Sequence, residues 1–332
     1  MVKAFLYPLN AVVGYNNCAY LIHKRGSKIF LIPVIVATFE NVFYKKGKRN
    51  IMRLSVIITT YNSPEWLEKV LVGFGHQSFN DFEIIIADDG SSMATKTLIE
   101  SFRIKLNNKI VHVWQQDEGF RKCTILNKAI IAATTDYLVF TDGDCIPHFH
   151  FMKTHFEERE KGYFLSGGYF MLPMNISKAI TVQDIMAGNC FNIQWLKVRG
   201  LPASFKNSKL LFNKYFSGFM NRITPTNASW NGHNASGWKD DIIAVNGYNE
   251  EMRYGALDRE LGERLMNIGI KGKQIRYSAI CIHLDHARSY KNNEDIEKNK
   301  KIREQTKKNK ITKAEVGIAS HHVPDNINDP DN

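Results

Sequence analysis

The chain has 332 residues and a formal net charge of +11, with 44% hydrophobic and 23% charged residues. This composition is ordinary for a globular protein and leaves room for one large α/β domain, alone or with extensions. Five scattered cysteines without a CxxC pair argue against a disulfide framework or a zinc site and favour reduced thiols in a cytosol.

Residues 1–51 are interpreted as a basic N-terminal extension, with eight Lys or Arg and one acid, Glu40. The apolar run Ile29–Phe39 is too short to span a bilayer, which takes about 20 residues, and it contains Pro33. We expect a packed strand or helix there, with an interfacial anchor as the alternative. Because Met52 directly precedes a predicted strand, a mis-set start codon is a second interpretation of the extension.

Strands and helices alternate from residue 54 onward. The apolar run Leu54–Thr60 predicts a buried parallel strand, and Ser63-Pro64 predicts an N-capped helix start behind it. The alternation continues with strands at Phe82–Ala87, Ile110–Trp114 and Tyr137–Thr141, and with helices that end near Leu106 and span Arg121–Ala133. We therefore predict an α/β fold with a mostly parallel central sheet flanked by helices, and ligands bound beyond the carboxyl ends of the strands.

The second half of the chain is less regular. We expect a strand at Phe164–Tyr169, a mixed segment at 174–222, an amphipathic helix at Ala256–Ile268, a strand at Ala279–His283 and a charged helix at Ile296–Lys310. These elements suggest one domain over residues 52–290, followed by a basic helical tail and a flexible C-terminus over residues 291–332.

Two carboxylates follow the strand predicted at residues 137–141. Strand alternation points Asp142 and Asp144 to the same side, and Gly143 between them leaves room for a ligand against the backbone. Because unpaired buried charges are costly, we expect a cation beside them. Hard oxygen ligands suit Mn²⁺ or Mg²⁺ held together with substrate phosphates, and a solvated turn is the alternative.

Charged residues at the neighbouring strand ends extend this edge. Asp88 and Asp89 can accept hydrogen bonds from a uracil imide or a ribose, or they can cap the following helix. Arg121 is favoured over its neighbour as a pyrophosphate ligand, because its planar fork binds two phosphate oxygens. An ion pair of Arg121 with Asp117 or Glu118 is the alternative.

Candidates in the C-terminal half complete the set. His283 ends a strand near the same edge, where a neutral imidazole can join Asp144 as a ligand for Mn²⁺, and His286 is a weaker candidate of the same kind. Asp258 lies in the first turn of a predicted helix. It can act as a general base toward an acceptor hydroxyl, or it can simply favour the helix N-terminus.

Several stretches carry a family resemblance: SVIITTYN (55–62), FEIIIADDGS (82–91), DEGFRKCTILNKAI (117–130), YLVFTDGDCIP (137–147), SGGY (166–169), NGHNASGWKDDIIAVNGYNE (231–250) and YGALDREL (254–261). Together they resemble family 2 glycosyltransferases with the GT-A nucleotide-sugar fold. The likeness is greatest to the bacterial branch with a galactosyltransferase-like C-terminal motif, and it extends from about residue 54 to residue 290.

The resemblance implies a donor site, a metal site and an acceptor site. The donor, a UDP-sugar, would contact Thr60, Tyr61, Asp88, Asp89, Arg121 and Asp142. The metal ion, Mn²⁺ or Mg²⁺, would be held by Asp144 and His283. The acceptor would contact Gly168, Trp230 and Asn234. The implied reaction inverts the anomeric carbon, with Asp258 taking a proton from the acceptor hydroxyl and the metal neutralising charge on the departing UDP.

One position departs from the family motif. That motif usually reads Gly-Gly-Glu-Asp or Gly-Arg-Glu-Asp, whereas this chain has Gly255-Ala256-Leu257-Asp258. The missing acid is expected to bind acceptor hydroxyls. We expect an active enzyme because Asp258 is retained, and the alternative is a degenerate member that binds nucleotide-sugar without efficient transfer.

The expected role is sugar transfer to a saccharide or lipid-linked saccharide in cell-surface polysaccharide or lipopolysaccharide synthesis. We expect a cytoplasmic location, with the basic ends of the chain either touching an anionic membrane at its inner face or simply solvated. A nucleotidyltransferase is disfavoured because residues 60–64 contain neither Gly nor Lys. Nucleic-acid binding is disfavoured because the charged ends lack interleaved aromatics and a known motif.

Overall fold

The computed structural model describes residues 12–15, 18–25, 28–34, 53–210, 214–287 and 291–321. The chain divides into two compact units, Met1–Arg49 and Asn50–Asn332. In the first unit, strands β1 (Val12–Tyr15), β2 (Cys18–Arg25) and β3 (Lys28–Val34) pair in that order as an antiparallel sheet. The apolar run predicted as a strand or helix thus begins in β3, and residues 35–39 lie outside the described part.

The second unit alternates strands and helices as the sequence predicts. Its strands are β4 (Leu54–Thr60), β5 (Phe82–Asp88), β6 (Ile110–Trp114), β7 (Tyr137–Asp142), β8 (Cys145–Pro147), β9 (Tyr163–Ser166), β10 (Gly168–Met171), β11 (Ala235–Trp238), β12 (Lys271–Gln274) and β13 (Ile280–His283). Its α-helices are α1 (Pro64–Gly75), α2 (Met93–Lys105), α3 (Lys122–Ala132), α4 (Phe151–Glu158), α5 (Met174–Ala179), α6 (Val182–Met186), α7 (Ile193–Val198), α8 (Lys214–Ile223), α9 (Lys239–Ala244), α10 (Leu257–Asn267) and α11 (Asn293–Lys308). Short 3₁₀ helices form at Asn189–Phe191, Phe205–Leu210 and Ile318–Ser320.

A seven-stranded sheet in the order β12-β9-β11-β7-β4-β5-β6 forms the centre of this unit. Strands β7, β4, β5 and β6 are parallel, β9 and β12 are parallel, and β11 runs antiparallel to both of its neighbours. The prediction of a mostly parallel central sheet flanked by helices is confirmed.

The two faces of the central sheet are both covered, which explains its continuous apolar strands. Along β4, Val56 and Ile58 belong to one buried cluster, whereas Ile57 belongs to another. Leu71 of α1 joins the first cluster, and Ile130 of α3 joins the second. Strand alternation therefore feeds two cores, one on each side of the sheet.

This unit also contains a three-stranded sheet in the order β10-β13-β8. The sequence predicted a single strand at Phe164–Tyr169. That prediction is wrong in one respect, because the chain changes sheets at Gly167 and forms β9 and then β10. A Cβ atom at Gly167 would lie 1.9 Å from Asn234 Oδ1. Only glycine fits at this position, where the chain passes from β9 in the central sheet to β10 in the three-stranded sheet.

The start of α1 differs in detail from the prediction. Pro64 is its first residue, as expected from the fixed φ of proline. Ser63, however, makes no side-chain cap, because its Oγ donates to the Tyr61 carbonyl at 3.1 Å. The Leu67 N–H instead donates to the Ser63 carbonyl at 3.0 Å, the usual backbone bond of a first turn.

Helix α11, which the sequence suggested as a separate tail, packs against α10. Arg303 Nε donates to Glu263 at 3.1 Å, and Asn267 Nδ2 donates to the Thr306 carbonyl at 3.1 Å. Farther along the chain, Ile318 is buried in the same cluster as α3. Residues 291–321 thus complete this unit.

The α-helices of the described residues have between 5 and 16 residues. None of these helices combines the length and the apolar character that a bilayer crossing requires.

Arg264 and Glu260, both in α10, form a buried ion pair, and Arg264 also bonds to the loop after α9. Arg264 donates through Nε to Glu260 Oε1 at 2.8 Å and through Nη2 to the Gly247 carbonyl at 2.7 Å, and both charged side chains are almost fully buried. We expect Arg264→Leu to lower the free energy of unfolding by about 3–5 kcal/mol, because it leaves the Glu260 charge buried without its partner. Urea unfolding followed by circular dichroism measures this loss.

The exposed pair of Arg103 with Glu100 on α2 offers a matched control. Arg103→Leu should cost less than about 1 kcal/mol, because water already solvates both charges. Equal losses in the two variants would contradict the role assigned to the buried pair.

Candidate active site

A cavity of about 570 Å³ opens at the carboxyl ends of β4, β5 and β7. Segments from distant parts of the chain wall it, including the starts of α3 and α10 and the residues that follow β13. The predicted site residues that line it are Thr60, Tyr61, Asp89, Asp142, Asp144, Asp258 and His283. The parallel topology thus collects these side chains at one sheet edge.

Lys122, the first residue of α3, supplies the cation expected beside the strand-end carboxylates. Its Nζ lies 2.6 Å from Asp142 Oδ1, which also accepts a hydrogen bond from Thr59 Oγ1 at 2.7 Å. Burial disfavours both charges, yet their mutual attraction lowers the pKa of Asp142 and raises the pKa of Lys122. Asp258 and Asp144 raise the pKa of Lys122 further. Sequence analysis expected a cation here but did not assign it to Lys122.

Arg121 is placed differently from Lys122. Its backbone N–H donates to Asp89 Oδ2 at 2.8 Å, and its guanidinium pairs with Glu118. The side chain is not part of the cavity lining. The structure therefore has the ion pair of Arg121 with Glu118, which was the alternative. Lys122, and not Arg121, lines the cavity in which a phosphate contact was predicted.

Asp88 and Asp89 have separate surroundings. Buried Asp88 accepts a hydrogen bond from the Ser91 N–H at 2.8 Å, and its second oxygen lies 2.9 Å from His112 Nε2. Asp89 borders the cavity and accepts a hydrogen bond from Gln115 Nε2 at 2.6 Å. Burial raises the pKa of Asp89, against the effect of that hydrogen bond. Of the two carboxylates, Asp89 is the one placed to meet a ligand in the cavity.

The end of β4 contributes both a buried hydroxyl and an exposed ring. Thr60 Oγ1 is buried and has no hydrogen-bond partner within the described part of the chain. Tyr61 donates from its hydroxyl to Asp117 Oδ2 at 2.8 Å. A Cβ at Gly143 would lie 2.8 Å from the Thr59 carbonyl oxygen. Gly143 therefore makes room for the backbone of β4, where the sequence suggested room for a ligand.

Asp144, Cys145 and His283 bring a carboxylate oxygen, a thiol sulfur and an imidazole nitrogen within 4.8 Å of one another. His283 Nδ1 lies 2.9 Å from the Leu284 carbonyl, which in a neutral ring places the proton on Nδ1. His283 Nε2 then offers its lone pair 3.9 Å from Asp144 Oδ1. The Cys145 thiol has a pKa raised by burial and by its contact with Cys281.

His286 repeats the arrangement of His283. Its Nδ1 lies 2.9 Å from the Ala287 carbonyl, its Nε2 lies 2.9 Å from Asp144 Oδ2, and its ring is stacked on that of His283. A carboxylate and two oriented imidazoles fit Mn²⁺ better than Mg²⁺, which prefers oxygen ligands, and a protonated, buried thiol is a poor ligand for either ion. Asp142 is not part of this cluster, because Lys122 pairs with it.

Asp258 faces the cavity from the first turn of α10. Its Oδ1 is buried and has no hydrogen-bond partner among the residues described. Burial raises the pKa of Asp258 to about 6; Lys122 opposes this shift, and the negative charge of Asp142 adds to it. A Cβ at Gly232 would lie 2.6 Å from Asp258 Oδ1, so glycine is needed there. A carboxylate with this pKa can accept a proton near neutral pH.

The backbone that leads to Asp258 is held from α11. Buried Asn299 donates from Nδ2 to the carbonyls of Arg253, Tyr254 and Gly255, at 3.0, 3.1 and 2.8 Å. Ala256, two residues before Asp258, has a φ of 56°, a left-handed conformation that a Cβ disfavours. Sequence reasoning missed Asn299, because an asparagine in a charged helix carries no signal of a distant contact.

Leu257, the residue that departs from the family motif, is almost fully buried. It belongs to the same apolar cluster as Ile125 of α3 and Leu261 of α10, and it also borders the cavity. This position agrees with the apolar stripe predicted for the helix.

The residues assigned to the acceptor lie behind the cavity wall. Trp230 is fully buried and donates from Nε1 to the Tyr248 hydroxyl at 3.0 Å, and Tyr248 in turn hydrogen-bonds to Asp258. Asn234 is fully buried and donates from Nδ2 to the Gly168 carbonyl at 2.7 Å. The structure therefore places Trp230, Asn234 and Gly168 in the support of the site and not at its surface.

Comparison with known proteins gives a family match for residues 55–173, to a model described as glycosyl transferase family 2. Chondroitin synthase of Escherichia coli is 31% identical over 115 residues, 34% of this chain and 16% of that protein. The poly(ribitol-phosphate) beta-N-acetylglucosaminyltransferase TarS of Staphylococcus aureus is 33% identical over 95 residues, 28% of this chain and 16% of that protein. The chain thus spans less than a quarter of the length of these curated relatives.

Solved structures show the same fold at low identity. Residues 1–349 of S. aureus TarS in complex with UDP-GlcNAc superpose with a TM-score of 0.53 and 17% identity, over 81% of this chain and 69% of that chain. The mannosyltransferase PcManGT of Pyrobaculum calidifontis, in complex with GDP-Man and Mn²⁺, gives a TM-score of 0.50 and 15% identity over 72% and 58%.

We expect Asn299→Ala to loosen the segment before α10, because three backbone carbonyls lose their hydrogen-bond donor. Leaving a buried polar group without a partner costs about 1–3 kcal/mol of stability. Hydrogen exchange followed by mass spectrometry should show faster exchange in residues 253–260 and unchanged protection in β4 and β5. Asn293→Ala, at an exposed position in the same helix, is the control. Unchanged exchange at 253–260 in Asn299→Ala would show that the loop holds itself.

Proposed function

Because residues 55–173 belong to glycosyl transferase family 2, we propose that the whole chain transfers a sugar from a nucleotide-sugar donor to a saccharide acceptor in cell-surface polysaccharide synthesis. One observation carries the proposal. The cavity that holds Asp144 and His283 also holds Asp258, whose buried Oδ1 lacks a hydrogen-bond partner in the described chain. The proposed metal ligands and the proposed base, whose pKa is raised, therefore line one space of about 570 Å³.

The donor is proposed to be a UDP-sugar that lies along the ends of β4 and β5. Asp89 borders the cavity there, and the unpartnered Thr60 Oγ1 and the exposed Tyr61 ring lie at the end of β4. The solved complexes of TarS with UDP and with UDP-GlcNAc support this donor class by analogy of fold. Asp88 is left out of the donor site, because Ser91 and His112 already engage its two oxygens.

A divalent ion, Mn²⁺ or Mg²⁺, is proposed to be held by Asp144 and His283, with His286 as a further ligand. Asp144 is the shared carboxylate, and each imidazole is oriented by a backbone carbonyl on its Nδ1 side. When bound, the ion supplies positive charge for the departing diphosphate. The Lys122 ammonium adds a fixed positive charge on the same side of the cavity, although Asp142 neutralises much of it.

Asp258 is proposed as the general base of an inverting transfer. The acceptor hydroxyl gives its proton to the Asp258 carboxylate, the hydroxyl oxygen bonds to the anomeric carbon, and the bond from that carbon to the UDP oxygen breaks. One base is sufficient, because inversion passes through no covalent enzyme intermediate. Lys122 lowers the pKa of Asp258 and so keeps it ionised at neutral pH.

The degenerate alternative rests on Leu257. Restoring the family acid by Leu257→Glu would place a carboxylate in the apolar cluster of α10, so that variant tests folding as much as acceptor binding. Turnover of the unaltered chain with a panel of UDP-sugars and saccharide acceptors decides the question directly. Nucleotide binding without turnover on any pair would favour the degenerate alternative.

The rate of UDP release should depend on pH through Asp258. Because the base works in its ionised form, we expect the rate to rise with pH and level off above about 6, falling about tenfold per pH unit below the pKa. Asp258→Asn should lower kcat by roughly 10²–10⁴-fold. The control Asp240→Asn changes an exposed acid, also in the first turn of a helix, and should leave the profile intact. A normal rate in Asp258→Asn would refute the assignment of the base.

Metal-dependent donor binding is the second test. In calorimetric titrations, UDP should bind in the presence of Mn²⁺ and lose affinity strongly without the ion or in Asp144→Asn, because the diphosphate then lacks the positive charge of the bound ion. Asp240→Asn again serves as the control. Equal UDP affinity in Asp144→Asn would remove the metal role of Asp144, and no UDP binding at all would point to another nucleotide or to a defunct site.

A further inference from the structure

Residues 185–239 form the most one-sidedly charged part of the described unit. This stretch contains no Asp or Glu, and its cations are Lys197, Arg199, Lys206, Lys209, Lys214, Arg222 and Lys239. It includes α7, the 3₁₀ helix at Phe205–Leu210 and α8. Of the site residues discussed above, Trp230, Gly232 and Asn234 lie within it, and all three are buried, so the proposed reaction leaves its exposed surface unexplained.

Helix α8 turns two large apolar side chains toward solvent. Phe219 and Ile223, one turn apart, are 58% and 53% exposed. Asn221 faces the protein instead, where its Nδ2 donates to Ser278 Oγ at 2.8 Å and its Oδ1 accepts from the Tyr277 N–H at 2.9 Å. A helix that only covers a core turns its apolar residues inward, so the outward pair indicates a surface that meets something apolar.

A second pair of exposed apolar side chains lies just upstream. Val198 is 85% exposed and stands between Lys197 and Arg199, and Phe205 is 89% exposed and precedes Lys206. In α8, Ile223 likewise follows an exposed arginine. Each cation here is also exposed. We name these residues together the 198–223 surface: Val198, Phe205, Phe219, Ile223, Lys197, Arg199, Lys206 and Arg222.

Two elements of the 198–223 surface, the 3₁₀ helix at Phe205–Leu210 and α8, form hydrogen bonds in or next to the sheet β10-β13-β8. Lys209, in the 3₁₀ helix, donates to the Tyr169 carbonyl of β10 at 3.3 Å. The Asn221 bonds reach Tyr277 and Ser278, which lie just before β13. The 3₁₀ helix and α8 therefore lie beside the sheet that contains His283.

We propose that the 198–223 surface docks the protein on an anionic lipid bilayer. Large apolar side chains beside cations suit the interface, where the rings and aliphatic groups enter the acyl boundary and the cations meet lipid phosphates. A soluble polyanion would use the cations and leave Phe205 and Phe219 in water. A second copy of the chain would bring the cations of this stretch against those of its partner, which like charges oppose.

Sedimentation of the full chain with lipid vesicles tests the proposal. The probes are vesicles of phosphatidylcholine alone and of phosphatidylcholine mixed with phosphatidylglycerol, at low and high salt. We expect binding to the anionic vesicles that weakens at high salt, because the Debye length shortens. The triple variant Phe205→Ser, Phe219→Ser, Ile223→Ser should lose this binding.

Two matched controls separate this surface from general stickiness and general basicity. Ile104→Ser changes an apolar side chain of α2 that is 89% exposed, and it should bind as the unaltered chain does. Lys206→Gln with Arg222→Gln should weaken binding by about fivefold for each cation, the equivalent of about 1 kcal/mol per cation near an anionic surface. Lys300→Gln with Lys301→Gln removes the same charge from α11 and should have little effect.

Each other outcome overturns the proposal. Vesicle binding that survives the triple serine change, or that depends on Lys300 and Lys301 instead, would place the contact elsewhere. Binding to soluble polyphosphate that matches vesicle binding and ignores the apolar changes would make the surface a polyanion site. Loss of a dimer in the triple variant, measured by sedimentation velocity without lipid, would make it a self-association face. The changed residues are exposed, so an unchanged melting temperature in every variant secures the comparison.

Discussion

The ion pair between Lys122 and Asp142 is the interaction on which the site depends. A parallel sheet collects the carboxylates of Asp142, Asp144 and Asp258 at one edge, and without compensation they would repel one another. Lys122 is positioned by the start of α3 to interact with all three, and each of them raises its pKa. The outcome is a graded set: Asp142 is held ionised, whereas Asp258, more weakly compensated, has a pKa near 6. A single ammonium group thus allows an ionised carboxylate and a carboxylate of raised pKa to share one cavity.

Much of the fold could be predicted from the sequence because β-branched apolar runs and their polar ends mark buried parallel strands. Leu54–Thr60 was predicted with its observed bounds. What periodicity cannot reveal is sheet membership: the stretch around Gly167 reads as one strand but divides between two sheets, because Asn234 occupies the space of a side chain. Ser63 shows a similar limit, since a good capping residue forms its cap only when the entering backbone lets it.

In the site, residue types were easier to predict than their partners. A cation was expected beside the carboxylates, and chemistry favoured the arginine of the Arg121-Lys122 pair. The start of α3 decides otherwise: its N-cap Arg121 turns toward Glu118, and Lys122, one residue on, turns into the cavity. The partner of each side chain, Glu118 for Arg121 and Asp142 for Lys122, thus decides which of the two reaches the site. Asn299 illustrates the complementary case, a tertiary contact between helices far apart in sequence, for which a single sequence contains no local signal.

The family match covers the residues on one side of the cavity and not those on the other. Residues 55–173 contain Thr60, Asp89, Lys122, Asp142 and Asp144, the side of the cavity that the proposal gives to the donor and its metal ion. The proposed base comes from α10, and the imidazoles of His283 and His286 come from the end of β13 and the residues after it. Helix α11 holds the turn before α10. The proposed donor side therefore falls within the family match, whereas the proposed acceptor side is built by parts of the chain outside the matched region. Leu257 lies on that second side, so a departure from the family motif there is expected to alter which acceptor is used before it alters donor binding.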